Sequence, residues 1–509
     1  LDFEKSEDKR YHLSRSHIMV DAGVTKSSGN GFFGERTVSF KNFKINIPLQ
    51  DSIYEGPALV KPDKVEAHSE SFWRAGRHDT LTHAEERVYN NIDSLEKMPS
   101  FRRTMAFFTF LLAGYTSFGA FDLGPAAAFY GFNPVEGFKL RLGGRTTPKL
   151  SKRIYFEGYG AYGFKDEQWK YFLSTTYSLN NKSIYQYPLN FIRASYQFDT
   201  KIPGQDLQFV SEDNFLLSFK RGQNDKWLYN TNLKLEYIHE FGNHLTSTIG
   251  FRNWEQKPAG SIVYTKSENG ADVNINQLTT SEFSGELRWA PNEKFYQGKV
   301  YRILIVNKYP IITLRFIAGV KGILKSEYNY QNISGRIEKR AFLSQLGYSD
   351  LVLEGGYIFG KLPYPLMTIH RANQTYAYQL NSYNLMNFQE FVSDRFIAFN
   401  IDHYFNGLFF NRVPLLKKLK LREVVSMKLL YGGVREENKP SSDPSLIRYP
   451  VFQGATTTFT LEKKPYIEGS VGVTNIFKVI RVDMVKRVSY LENPYVATWG
   501  IRARFKFDF

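Results

Sequence analysis

The last eleven residues, Trp499 to Phe509, constrain this chain more than any other stretch. They read Trp-Gly-Ile-Arg-Ala-Arg-Phe-Lys-Phe-Asp-Phe, with Trp499, Ile501, Ala503, Phe505, Phe507 and Phe509 at odd positions. Gly500, Arg502, Arg504, Lys506 and Asp508 fall between them. Side chains along a β-strand alternate between faces, so one face is apolar and aromatic and the other is charged. The edge of a soluble sheet can carry such a strand. Phenylalanines on one face, running to the final residue, fit better the closing strand of a barrel whose outside lies in lipid.

Composition supports a barrel. Aromatic residues make up 16% of the chain, with 33 Tyr and 43 Phe, and a membrane barrel needs aromatic girdles at two interfaces. No run of about 20 apolar residues marks a transmembrane helix; a barrel needs none, because only alternate residues face lipid. At 509 residues the chain can hold one large barrel with an added segment, or several soluble domains. It has no cysteine, which excludes disulfides and thiolate metal sites. It opens at Leu1 without a signal-peptide pattern, so a mature or truncated form is expected, its export signal lying outside these residues. The net charge is +16, and the basic residues are spread through the alternating segments. Nucleic acid needs a clustered footprint, so it is not expected. Outer-membrane lipids, lipopolysaccharide and other outer-membrane or periplasmic proteins are the expected partners.

Three regions are expected. Residues 1–75 form a periplasmic β-like segment of short runs between polar, Gly-rich stretches. Residues 76–118 are a helical linker. Thr82-His83-Ala84-Glu85 fits a capping box, Pro99 is expected to end that helix, and a second runs from Phe101 to Ala113, either at the membrane interface with Arg102 and Arg103 at the headgroups or packed against or inside the barrel. Residues 119–509 alternate throughout and predict a transmembrane antiparallel β-barrel. In the strand from Pro310, Ile312, Leu314, Phe316, Ala318 and Val320 share one face, with Thr313 and Arg315 opposite.

Loop lengths offer an independent check, since such barrels have short periplasmic turns and long outer loops. With the final strand running toward the periplasm, 256–277, 361–393 and 435–464 fall outside. Gly242-Asn243 and Lys165-Asp166-Glu167 fall among the periplasmic turns, as do the longer 291–309 and 406–420. Seventeen segments show the strand pattern, whereas two periplasmic ends require an even number. Either 119–131 or 213–221 is therefore superfluous, and roughly sixteen strands are expected.

Several stretches resemble a Bacteroidota outer-membrane barrel family of unknown function, whose members often carry an N-terminal carboxypeptidase-regulatory-like sandwich. They are Asp122-Leu123-Gly124-Pro125, Phe132 to Gly137, Gly143 to Thr147, Glu157 to Glu167, Gly360 to Pro365, Ser393-Asp394-Arg395 and Arg412 to Leu419. The resemblance implies an outer-membrane barrel from about residue 72 to the end and no known activity. The C-terminal third is similar, more distantly, to the BamA/TamA barrel superfamily. The similarity rests on the long loop 361–393, Gly469 to Val473, Arg481-Val482-Asp483 and Gly500. The loop has His370-Arg371-Ala372-Asn373 where that superfamily has Arg-Gly-aromatic. Thr498, Gly500, Ala503 and Phe505 also resemble the C-terminal assembly signal of outer-membrane proteins.

No catalytic constellation stands out, and no cofactor is expected. There is no Gly-x-Ser-x-Gly elbow or phosphate-cradling loop, and His78, Asp79 and His83 lack the spacing of a helical metal pair. Alternation sends Lys139, Arg141, Arg315, Arg481, Asp483, Arg502, Arg504 and Lys506 into the lumen. A charged interior of this kind is either salt-bridged or water-filled around a plug, or it is a basic surface for an acidic loop, a lipid headgroup or a passing chain. Arg395, where the long loop meets its strand, is a candidate fork for a carboxylate, and with the neighbouring Asp394 a candidate for docking a loop or a partner. Arg412, Lys417, Lys418 and Lys420 alternate with apolar residues, which suits partner docking or interfacial anchoring by snorkelling lysines. Gly124 and Pro125 weaken the first strand, so a seam is expected between it and the last strand near Gly500. A non-enzymatic role in outer-membrane protein assembly or export follows from these features; the alternative is a pore for small anionic solutes.

Overall fold

A computed structural model describes residues 1–5, 9–23, 31–40, 43–44, 47–48, 50, 57–60, 68–77, 80–204, 220–222, 224–298, 301–461 and 464–505. The chain divides into two compact units, Leu1–Glu55 with Val60–Phe108 and Gly56–Leu59 with Thr109–Phe509.

In the first unit Asp2–Lys5, Tyr11–Gly23 and Gly31–Ser39 form an antiparallel sheet with the long strand in the middle. Helices Glu70–Gly76 and His83–Lys97 follow. The second has the capping box: the Glu85 N–H donates to the Thr82 hydroxyl at 3.3 Å, and the Thr82 N–H donates to the Glu85 carboxylate at 2.8 Å. As expected, Pro99 ends this helix, which stops at Lys97 with Met98 extended ahead of the proline. It also opens the next, Pro99–Ala113, where the first turn has no use for the missing N–H.

The second unit is built on one large antiparallel sheet. Its continuous strands are Gly137–Thr146, Ile154–Gly163, Gln168–Ser178, Asn190–Lys201, Lys226–Glu240, Leu245–Gly260, Leu278–Trp289, Ile311–Gly319, Tyr330–Phe342, Tyr348–Phe359, Arg395–Tyr404, Arg422–Gly433, Tyr466–Ile476, Ile480–Arg487 and the final strand, Trp499–Phe505. Each pairs with the next. Ahead of them lies an interrupted strand. Phe121–Leu123 and Tyr130–Asn133 both pair with Gly137–Thr146, separated by Gly124, Pro125 and the tight turn Ala126–Ala128. The expected strand 119–131 breaks there for a steric reason. Gly124 has φ +152°, and a Cβ would lie 2.4 Å from the Gly114 carbonyl, while Pro125 has no N–H to give the ladder. Thr116–Ser117 pairs with Phe121–Leu123 and comes next to the final strand in the strand order.

The expected strand 213–221 falls mostly outside the described residues. Asn190–Lys201 pairs directly with Lys226–Glu240, so no strand separates those two in the sheet. Removing it reverses the end at which every earlier connection turns. Lys165-Asp166-Glu167, expected among the periplasmic turns, instead shares an end with 256–277, 361–393 and 435–464.

The two faces of the sheet differ sharply. Ile397, Met427, Val471, Met484, Trp499, Ile501 and Phe505 are exposed on the outer face, Val471 to 67%. Asp402, Lys428, Glu468, Arg481, Asp483, Arg487 and Arg502 are buried on the inner face, Arg481 and Arg487 completely. This reverses the usual order for water, where large apolar areas are covered.

Candidate functional site

The inner face is occupied by the loop 361–393. In the sequence it looks like a surface connection, yet Leu362, Tyr364, Met367, Asn384, Leu385, Met386 and Phe391 are almost fully buried. Its composition explains this: between 361 and 393 the charged residues are Lys361, Arg371 and Glu390 alone, set among Tyr, Asn, Gln, Leu and Met. A segment so poor in charge has a hydrophobic gain from packing and amides to satisfy what it packs against.

The inner-face charges hold it. Arg487 grips Glu390 with both arms of its guanidinium, at 3.0 and 2.6 Å. The Glu468 carboxylate accepts the backbone N–H groups of Asn384 at 2.7 Å and Leu385 at 3.1 Å. The Lys428 ammonium donates to the carbonyls of Gln379, at 2.7 Å, and Ser382. Arg371 of the loop and Arg336 of the wall share Glu354. Buried charges are tolerated only when paired and hydrogen-bonded, and here the wall and the loop satisfy one another. A cavity of about 120 Å³ remains beside Arg315, Arg336, Arg371 and Glu354.

Arg481 lies on the same strand as Arg487. It donates to Asp483 at 2.7 and 2.9 Å, to Asp402 at 3.0 Å, to Ser426 at 2.9 Å and to the Tyr404 hydroxyl at 2.7 Å. Its guanidinium also lies 4.3 Å from the centre of the Tyr378 ring of the loop. Arg504 is half-buried and directly across the ladder from Arg481.

At the final strand the loop does more than fill space. The Tyr378 N–H donates to the Ala503 carbonyl at 2.8 Å, and the Ala503 N–H donates to the Tyr376 carbonyl at 3.1 Å. Ala377 and Ala503 form a parallel bridge. The loop thus binds the edge of the final strand that faces away from Ile480–Arg487. One residue earlier, Arg502 turns back. Its guanidinium donates to the Ile501 carbonyl at 2.9 Å and to the Asn384 carbonyl at 3.1 Å. The guanidinium lies over Gly500, where a Cβ would be 2.9 Å away.

The other expected residues fall as follows. Lys139 donates to Asp199 at 2.5 Å and lies 3.3 Å from Glu136. Arg141 stacks 3.5 Å over Tyr159. Arg315 donates twice to Glu286, at 2.7 and 2.5 Å. Lys506 lies outside the described residues. Gly124 packs on Gly114 and Tyr115, and Pro125 on Gly114. Asp394 docks a loop. It is buried and accepts the Arg435 N–H at 2.9 Å, the Arg435 guanidinium at 3.0 Å and the Asn438 amide at 2.9 Å. The arginine partner of Asp394 is Arg435, from the next long loop, while Arg395 is exposed. Arg412, Lys417, Lys418 and Lys420 are all exposed, around the short helix Pro414–Lys418 with exposed Leu415 and Leu419.

His370 and Ser393 share a 2.9 Å hydrogen bond that superficially suggests nucleophile chemistry. Both are buried. Burial, with the Arg371 charge beside it, lowers the His370 pKa to about 3, so the pair is a neutral internal contact. Among the described residues no three His, Asp or Glu side chains are placed to hold a metal ion; His78 and Asp79 lie outside them.

No curated protein sequence matches this chain. Among solved structures it is similar to BamA from Haemophilus ducreyi lacking POTRA domains 1–3, at 7% identity and a TM-score of 0.45, covering 96% of this chain and 90% of that one. It is also similar to CdiB from Acinetobacter baumannii, at 9% identity and a TM-score of 0.36, covering 74% of this chain and 57% of that one. The C-terminal domain of a family of unknown function, DUF5686, matches residues 116–438, and the chain belongs to that family.

Proposed function

We propose that this protein is a non-enzymatic transmembrane β-barrel of roughly sixteen strands in the outer membrane of a Gram-negative bacterium. In this reading it is an accessory component of outer-membrane protein assembly or export. The exposed apolar outer face supports the membrane setting, because lipid covers what water would not tolerate. The observation that carries the assembly role is the edge of the final strand. At Ala503 that edge is bonded to a loop, and among the described residues the elements that follow it in the strand order are the short Thr116–Ser117, to which it is hydrogen-bonded, and the interrupted strand. A strand edge without a full ladder is a template on which another strand can add. Outer-membrane and periplasmic proteins are the proposed partners, with the basic, apolar segment 412–420 as a docking or anchoring element at the short-turn end.

Native purification from outer membranes tests the role. Assembly or secretion components are expected to co-purify, and depletion is expected to lower a defined set of outer-membrane proteins. An isolated barrel whose loss leaves that proteome unchanged would sink the reading. A pore for small anions is the weaker alternative, because Arg487, Lys428 and Arg502 are engaged with the loop. Stable anion-selective currents from the intact protein would reverse that order.

A further inference from the structure

We propose that Tyr376–Tyr378 is a tethered latch, occupying the edge of the final strand that an incoming β-strand of a client protein would use. It must leave before that strand can add. The proposal rests on the strand-accepting role given above and adds to it the element that controls access.

The loop is fixed unevenly. Away from the edge it is held by ion pairs, Glu390 with Arg487 and Arg371 with Glu354. At the edge, the contact is a single bridge carrying two backbone hydrogen bonds. The same strand makes a ladder of seven residue pairs with Ile480–Arg487 on its other side. The bridge at Ala503 can therefore part while the rest of the loop, the buried Tyr378 ring included, stays docked, because charge-assisted pairs are the stronger contacts.

Side chains at the bridge are small. Ala377 meets Ala503, so the backbones approach without interlocking side chains. Tyr376 is exposed, and the strap's shape is set from within by amides. Asn373 donates to the Ala377 carbonyl at 2.7 Å and to Asn384 at 2.8 Å, and accepts the Thr375 N–H at 2.9 Å. On the inner side the Tyr378 ring is held by Arg481, and by Lys428 at 5.2 Å. These contacts seat the Tyr378 ring on the strands of the wall and so position the strap against Ala503. The latch also protects the edge: with Ala503 bonded to the strap and the Ile501 carbonyl bonded to Arg502, the resting protein offers little to stray strands.

The chain has no cysteine, so Ala377→Cys with Ala503→Cys gives one defined disulfide in the full chain. The probe is a synthetic peptide with the sequence of residues 499–509 bearing a photoreactive group, and the readout is its crosslinking to the purified protein in detergent. The reduced double variant is expected to capture the peptide about tenfold better than the oxidised one, and Tyr378→Pro, which removes the amide donated to Ala503, to exceed wild type. Equal capture by oxidised and reduced forms would overturn the latch and leave the strand-accepting edge standing. Absence of capture by every form, Tyr378→Pro included, would overturn both. Failure of the two cysteines to join in otherwise folded protein would also overturn the latch.

Discussion

Arg487 and Glu390 are both buried, and each is the other's principal charge partner. Removing one partner strands the other in a medium that hydrates it poorly. Arg487→Met is expected to destabilise the folded protein by about 3–5 kcal/mol, measured by denaturant unfolding in detergent. Adding Glu390→Gln should recover much of the loss, because no bare charge remains. His370 offers a pH test. Its pKa is lowered from 6.5 to about 3, so between those values the unfolded chain takes up a proton that the folded loop refuses. Stability from this group is complete above about pH 6.5 and is lost as pH falls toward 3. Protease resistance of the loop is expected to decline on acidification from pH 6.5 to 5, and His370→Gln to flatten that decline. None of these pairings can be read from the sequence. Arg487 and Glu390 are 97 positions apart, and nothing in their spacing says that they meet.

Elements were more legible than pairs. In the final strand, alternation assigns Ile501 and Phe505 to one face and Arg502 to the other, and the structure exposes the first two and buries the third. The pattern suffices because the pleat has a period of two whatever the neighbours do. Ile501→Arg is expected to cost about 2–4 kcal/mol in a bilayer if it sits near the midplane, measured by urea unfolding in lipid vesicles. A negligible cost would mean that this face does not meet lipid. Two features hid from this reasoning. The break at Gly124 comes from the close approach of Gly114, and 213–221 has a strand pattern but no place between the strands that pair across it. Alternation reports a half-buried extended segment, not its partner, and one surplus segment was enough to send Lys165-Asp166-Glu167 to the wrong end.

At the scale of the molecule, the inner loop decides what the sheet can do. Deleting 371–390 is expected to turn a silent protein into a conducting one in planar bilayers, with a preference for anions, because Arg487, Lys428 and Arg502 would lose their loop partners. An unchanged record would mean that other segments fill the interior. By itself, the sequence determined the β class, the apolar and polar faces, and the long connections, since these follow from local periodicity and chain length. Only the tertiary structure decided that a long connection folds back onto the inner face, that its backbone caps the edge of the final strand at Ala503, and that Asp394 meets Arg435 rather than a ligand. Such contacts depend on where distant strands bring side chains together, and a neutral, amide-rich loop keeps its partners unstated until the charges of the wall surround it.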